Sequence, residues 1–256
     1  MRLVYTENNP AREPVEVGAS ASEQKVEAGA STSEQDCATG PPITRSASLT
    51  QRRLLKAPAM ADVFAGCLLE RLPHPRSAVA LPFFEFAPRP PLPTFATLAR
   101  YRKQFSGKTP NIALVAPRGT WQTPRGAMRP GSEVDAGIDW LNRVSDILGA
   151  FAIVIATGAE LTTGERDQDL LRAFTERLKP SGRRIVIAPR GLWEPEQAIP
   201  FANKTGTIYG FDPLEHDAPP GEFVYARVRP MGARPRLTEG ALAQIAERLA
   251  TSGCEQ

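Results

Sequence analysis

A seven-residue pattern occurs twice in the chain. Val115-Ala116-Pro117-Arg118-Gly119-Thr120-Trp121 is matched by Ile187-Ala188-Pro189-Arg190-Gly191-Leu192-Trp193. Each copy ends a short apolar run on Pro-Arg. Two further runs end in a related way, with Ala87-Pro88-Arg89 and with Arg227-Val228-Arg229-Pro230. Arginine offers a planar fork that suits phosphate or carboxylate, and a nearby indole can stack on a ring or on the guanidinium itself. That chemistry makes Arg89, Arg118, Arg190 and Arg229 candidate anion-binding residues, with Trp121 and Trp193 as candidate stacking partners. Glu85 and Asp212 are the carboxylates at comparable run ends, and a carboxylate there is a candidate general base. The same residues have a plainer reading. Arg far outnumbers Lys throughout the chain, Pro is common punctuation after a strand, and these guanidinium groups can form structural ion pairs with Glu85, Glu194 or Asp212. The two indoles read as lids over a core before they read as stacking platforms.

For these residues to meet, the runs must be parallel strands, whose carboxyl ends converge on one face of an α/β fold. The periodicity supports this. Short apolar runs at 78–86, 111–116, 151–156, 183–188, 207–211 and 223–228 read as strands. Between them lie helical patterns at 94–105, 134–148, 162–178, 196–202 and 239–250. In the 134–148 stretch Val134, Ile138, Leu141, Val144, Ile147 and Leu148 form one stripe, Glu133 and Asp135 favour its start, and Gly149 suits its end. Thr162 and Glu165 have capping-box spacing. Met60, Val63, Phe64, Cys67, Leu68 and Leu72 fall at helical spacing, ended by Pro73 and Pro75. Strand-helix alternation demands a mainly parallel sheet, because parallel neighbours need crossover helices.

The expected fold class is therefore α/β. A closed barrel of eight strand-helix units needs about 250 residues, and six strands are legible, which predicts a TIM-type (β/α) barrel that is reduced or partly open. The helix read at 60–72 would cover an open edge, and residues 1–6 are a candidate for a missing strand. Residues 58–256 make up this domain. Residues 1–57 read as a disordered, low-complexity tail: basic and acidic residues are equal in number, and Gly-Ala-Ser-Ala-Ser-Glu-Gln at 18–24 recurs as Gly-Ala-Ser-Thr-Ser-Glu-Gln at 29–35. Arg45-Ser46-Ala47-Ser48 resembles a basic-directed phosphorylation site, a pattern common in any Ser-rich linker. Met60 is an alternative start.

Composition removes several classes. With 31 Lys+Arg against 28 Asp+Glu among 256 residues, the net charge of +3 is too small to argue for nucleic acid. Three Cys without pattern make neither a disulfide framework nor a structural zinc site, and two distant His do not make a metal centre. No metal or cofactor is called for. No apolar run approaches the ~18 residues of a membrane span, and the first residues carry no signal-peptide core, so the expected location is the cytoplasm. The oligomeric state is left open.

The order of segments resembles the YecE-like family (domain of unknown function 72) over about residues 60–250. Phe84-Glu85-Phe86 followed by Pro93-Thr94-Phe95 is similar to the family's V-E-I-N-S-T-F-Y segment and its P-x-T-F helix start. Leu114-Val115-Ala116-Pro117-Arg118 resembles V-K-A-P-R, residues 186–193 stand where the family has V-E-F-R-H-P-S-W, and Asp212 corresponds to an Asp at the end of the penultimate strand. Phe223-Val224-Tyr225-Ala226-Arg227-Val228-Arg229 resembles F-V-Y-V-R-L-H. The resemblance implies a TIM-type barrel. It also marks departures: the family's Lys falls on Val115, its Glu and His on Ile187 and Arg190, and its final His on Arg229, while the Asn-Ser-Thr stretch after Glu85 and an opening G-T-S-G-W segment are missing.

Two functions follow. In one, the barrel is non-catalytic or anion-binding, its titratable groups having been replaced. In the other, it is an enzyme on a phosphorylated or carboxylated small molecule, with Arg118, Arg190 and Arg229 as clamps and Glu85 or Asp212 as base. Single-stranded nucleic-acid binding through Arg, Trp121 and Trp193 is a third reading, and the near-neutral charge argues against it.

Overall fold

The computed structural model describes residues 2–5, 64–105, 109–221, 223–228 and 237–251. Seven parallel strands form a curled sheet: β2 (Phe64–Leu69), β3 (Phe83–Phe86), β4 (Asn111–Val115), β7 (Ala152–Ile155), β8 (Arg184–Ile187), β9 (Ile208–Phe211) and β10 (Tyr225–Val228), hydrogen-bonded in that order except that β2 and β10 are the edges. A short strand, β1 (Arg2–Tyr5), pairs in parallel with both edges. Arg2 stands opposite Phe64 on one side and Tyr225 on the other, so the strand order runs round as a ring. A two-stranded hairpin, β5 (Gln122–Thr123) with β6 (Gly126–Ala127), lies outside it.

Among the described residues six α-helices accompany the strands: α1 (Pro75–Val79), α2 (Phe95–Lys103), α3 (Ser132–Leu148), α4 (Glu165–Leu178), α5 (Pro195–Thr205) and α6 (Glu239–Thr251). Strand side chains alternate between two faces, and this creates two cores. Phe84 and Phe86 of β3, Ile112 and Leu114 of β4, Ile153 and Ile155 of β7, and Ile185 and Ile187 of β8 face the helices. Phe83, Ala113, Val115, Ala152, Val154, Val186, Ala188 and Tyr225 fill the inside of the curl. The apolar runs looked continuous in the sequence because both faces are covered. The inner set is mostly small, since converging strands leave little room. At Gly210 a Cβ would lie only 3.0 Å from Val186 Cγ1 and 3.2 Å from Ala188 Cβ.

Helix α3 forms as its stripe predicts. Val134, Ile138, Leu141, Val144 and Leu148 are buried, and Gly149 ends the helix in the left-handed conformation at φ 63°. Thr94 caps α2, its Oγ1 accepting from Thr97 N at 3.2 Å.

Three local expectations are corrected. The helix expected at 60–72 is replaced by β2 at Phe64–Leu69, with residues 60–63 outside the described set. Gly66 is the reason: a Cβ there would sit 2.1 Å from Phe83 O, so the segment lies flat against β3. Pro75 begins helix α1 rather than ending one, a position where its missing N–H costs nothing. It shortens the strand expected at 78–86 to Phe83–Phe86. The Thr162/Glu165 capping box gives way to Gly164 as the cap of α4. Asp167 instead accepts from both Thr162 N and Thr162 Oγ1, each at 2.8 Å. The backbone bond from Thr162 is the main reason its carboxyl lies below the ordinary value, against a smaller opposing effect of burial.

Strand β1 lies within the stretch read as a tail. The remaining tail residues, the internal repeat and the Arg45–Ser48 motif lie outside the described residues, as does Arg229. Among the described residues no helix is long and apolar enough to cross a membrane.

Candidate functional site at the carboxyl ends of the strands

Glu85 is the third residue of β3 and points inside the curl, between Phe83 and Ala87 on the same face. It is fully buried. A carboxylate taken out of water needs a counter-charge and donors for its lone pairs. Both come from β10. Tyr225 donates its hydroxyl to Glu85 Oε1 at 2.7 Å, while Arg227 donates to Oε2 through Nε at 3.2 Å and Nη2 at 3.0 Å. Arg227 Nε also stands 2.9 Å from Oε1. Two strands, β3 and β10, and the alternation that puts Tyr225 and Arg227 two residues apart on one face thus make a buried Glu-Arg-Tyr cluster, with β2 and β1 between the two strands on the shorter way round the ring. Burial works against the guanidinium charge, but the Glu85 carboxylate, Tyr225 and the hydrogen bond to Glu85 outweigh it and hold Arg227 above its ordinary value.

This geometry spends Glu85 on its partners. A general base needs a lone pair directed at a substrate proton, and both Glu85 oxygens are occupied. Arg227 differs. Its side chain keeps 11% exposure, and among the described residues Nη1 makes no hydrogen bond. Glu85 holds the fork by two nitrogens, and the third is not engaged by it.

Asp212 follows β9 and is buried. Its Oδ1 accepts from Leu214 N at 3.0 Å, and its carbonyl accepts from Glu215 N and His216 N. The residue shapes the turn that leaves β9, a use of Asp that competes with proton transfer.

Three of the arginines named from the sequence pattern, Arg89, Arg118 and Arg190, stand after strands. Arg118 opens a short 3₁₀ turn after β4, is 67% exposed, and lies 3.6 Å from Glu160, whose other oxygen accepts from Gly158 N at 2.9 Å. Arg89 is exposed and pairs with Glu70, the residue after β2. Arg190 is exposed on the segment after β8. Arg89 lines a cavity of about 440 Å³ with Glu70, Arg71 and Thr97 among its other walls, and neither Arg118 nor Arg190 borders it.

Both indoles are buried and belong to the helix-facing core. Trp193 donates Nε1–H to Leu161 O at 3.0 Å and meets Phe201 edge-on, with centroids 5.3 Å apart. Trp121 has a buried Nε1 without a partner among the described residues. Neither presents a face for a ligand, which favours the lid reading. The repeated pattern therefore encodes a repeated way of closing the strand-to-helix corner, with the Trp folded under and the Arg turned outward.

Arg227 was missed in the sequence as a site residue in favour of Arg229. The signal was present in the period of two: Tyr225 and Arg227 share the face on which Glu85 requires a cation. Among the described residues no group of three or more His, Cys, Asp or Glu could hold a metal ion. No family model matches this chain, and neither a curated protein nor a solved structure does.

Proposed function

We propose that this chain is a reduced TIM-type barrel of the YecE-like kind that binds a small anion at the carboxyl ends of its strands and carries out no acid-base chemistry there. The single observation behind this reading is the Glu85–Arg227–Tyr225 cluster. It removes the candidate base from service and holds in place a guanidinium that keeps 11% exposure and has one nitrogen, Nη1, not engaged by Glu85. A guanidinium whose counter-ion is already in place loses little conformational freedom when an anion arrives, and preorganisation of that sort raises affinity. The replacement of the family's Lys, Glu and His positions by Val115, Ile187, Arg190 and Arg229 agrees with binding in place of turnover. Arg118 would contribute after giving up its long contact with Glu160. The reading places the protein in the cytoplasm, where phosphorylated and carboxylated metabolites are plentiful.

Thermal unfolding in phosphate, sulfate and simple carboxylates tests it. An anion held only by the native state at about 100 times its Kd adds about 2.7 kcal/mol, which is several degrees for a chain of this size. That shift should vanish in the paired variant Glu85→Leu/Arg227→Met, which removes both charges and strands neither. Persistence of the shift in the paired variant, together with its loss in Arg118→Ala/Arg190→Ala, would transfer the site to the outer rim. Turnover of any phosphate ester that survives the paired replacement would return the protein to the enzyme class.

A further inference from the structure

The cavity beside Arg89 is separate from the Glu85–Arg227 cluster. It is formed where the segment after β2 (Glu70, Arg71, Leu72) meets the Pro-rich segment after β3 and the first turn of α2 at Thr97. We propose that it is a second binding site, for a monoanionic carboxylic acid with a compact apolar body.

Three features carry this. The first is size: about 440 Å³ falls within the usual range for small-molecule sites. The second is the wall. Phe86 and Leu72 supply apolar surface, and four prolines of the segment after β3 line the cavity. A proline ring fixes its own backbone angle, so such a wall is stiff before a ligand enters. The third is charge. Arg89 is neutralised by Glu70, whereas Arg71 makes no hydrogen bond or ion pair among the described residues. The cavity therefore carries one uncompensated positive charge, on a guanidinium whose fork matches a carboxylate. One net charge and a mainly apolar wall select a monoanion with an apolar body over a phosphate, which brings more charge and no surface for the prolines.

Benzoate is a suitable probe, with benzamide and acetate as controls that remove the charge and the ring in turn. Isothermal titration of the full chain should show saturable binding of benzoate, and much weaker binding of either control. Arg71 is exposed and unpaired among the described residues, so Arg71→Gln leaves the fold intact while lowering benzoate affinity about tenfold or more, the worth of a charge-assisted hydrogen bond. Thr97→Trp, made from another exposed position, should block the cavity and abolish binding. The paired Glu85→Leu/Arg227→Met variant should bind benzoate as the parent does. Equal affinity for benzamide, or full affinity in Arg71→Gln and Thr97→Trp, would overturn the proposal. Loss of benzoate binding in the paired variant alone would assign the acid to the mouth of the curl instead.

Discussion

Glu85 and Arg227 depend on each other more than either contributes alone. Removing one partner of a buried ion pair leaves the other charge uncompensated at a cost of about 3–5 kcal/mol, whereas replacing both by apolar groups is often close to neutral. Chemical denaturation should therefore find Glu85→Leu and Arg227→Met each strongly destabilised and the double variant better than either single. Additive losses would mean that the pair is not coupled. Tyr101 is a second residue whose surroundings set its behaviour. It sits buried on α2 with its ring edge-on to Phe105 at 5.0 Å, and its hydroxyl has no partner among the described residues. Burial pushes its phenol up to about 12 from 10.0. The sign follows from the raised value: the contribution is complete below pH 10.0 and is lost as pH climbs toward 12, because the unfolded chain ionises first. Tyr101→Phe keeps the ring and removes the stranded hydroxyl. We expect stability at neutral pH to be unchanged or up to about 1 kcal/mol higher, with a smaller loss between neutral and alkaline denaturation curves than in the parent. A loss above about 1 kcal/mol at neutral pH would show that the hydroxyl has a partner.

At the scale of elements, α3 shows how a propensity gain is overridden by packing. Gly137 lies in its buried face, and a Cβ there would come 2.1 Å from Thr120 O in the turn after β4. Alanine would improve helix propensity by about 1 kcal/mol, but backbone cannot retreat as a side chain can, and overpacking costs about 1–3 kcal/mol or more. Gly137→Ala should lower stability by about 1–2 kcal/mol net, measured by urea denaturation; a stabilised variant would mean that α3 rides clear of the turn. This contact fixes how Arg118 and Trp121 leave β4, so the helix positions the corner as well as the core. The stripe that predicted α3 was legible because its apolar residues recur at helical spacing with acidic residues at one end and Gly149 at the other. Strand β2 was not legible. Phe64, Cys67 and Leu68 satisfy helical spacing equally well, and only the close approach of Gly66 to Phe83 decides for a strand.

For the whole molecule, the decisive contact is the shortest. Four residues near the chain start pair with Phe64–Cys67 on one side and with Tyr225–Val228 on the other. They stand between two strands whose unpaired edges are templates for association. Deleting residues 1–5 should lower the Tm and raise the apparent mass in a concentration-dependent way by light scattering. An unchanged Tm with a monodisperse solution would show that the two edges do not need this strand. The deletion should also weaken anion binding at the mouth, because β1 is the link between β2 and β10 and so between the strands that hold Glu85 and Arg227.

The sequence by itself determined the class of fold, most of the helices, the parallel direction of the strands and the placement of the Pro-Arg segments just beyond strand ends. Those are consequences of local spacing, of where Gly and Pro stand, and of the need for crossovers between parallel neighbours. Only the tertiary structure decided that Glu85 belongs to Arg227 and Tyr225, that the indoles are core, and that Arg89 pairs with Glu70 at the edge of a cavity. The partners are far apart in the chain, with 142 positions separating Glu85 from Arg227. No local pattern encodes such a pairing, because it exists only once the curl of the sheet has brought the two strands across from each other.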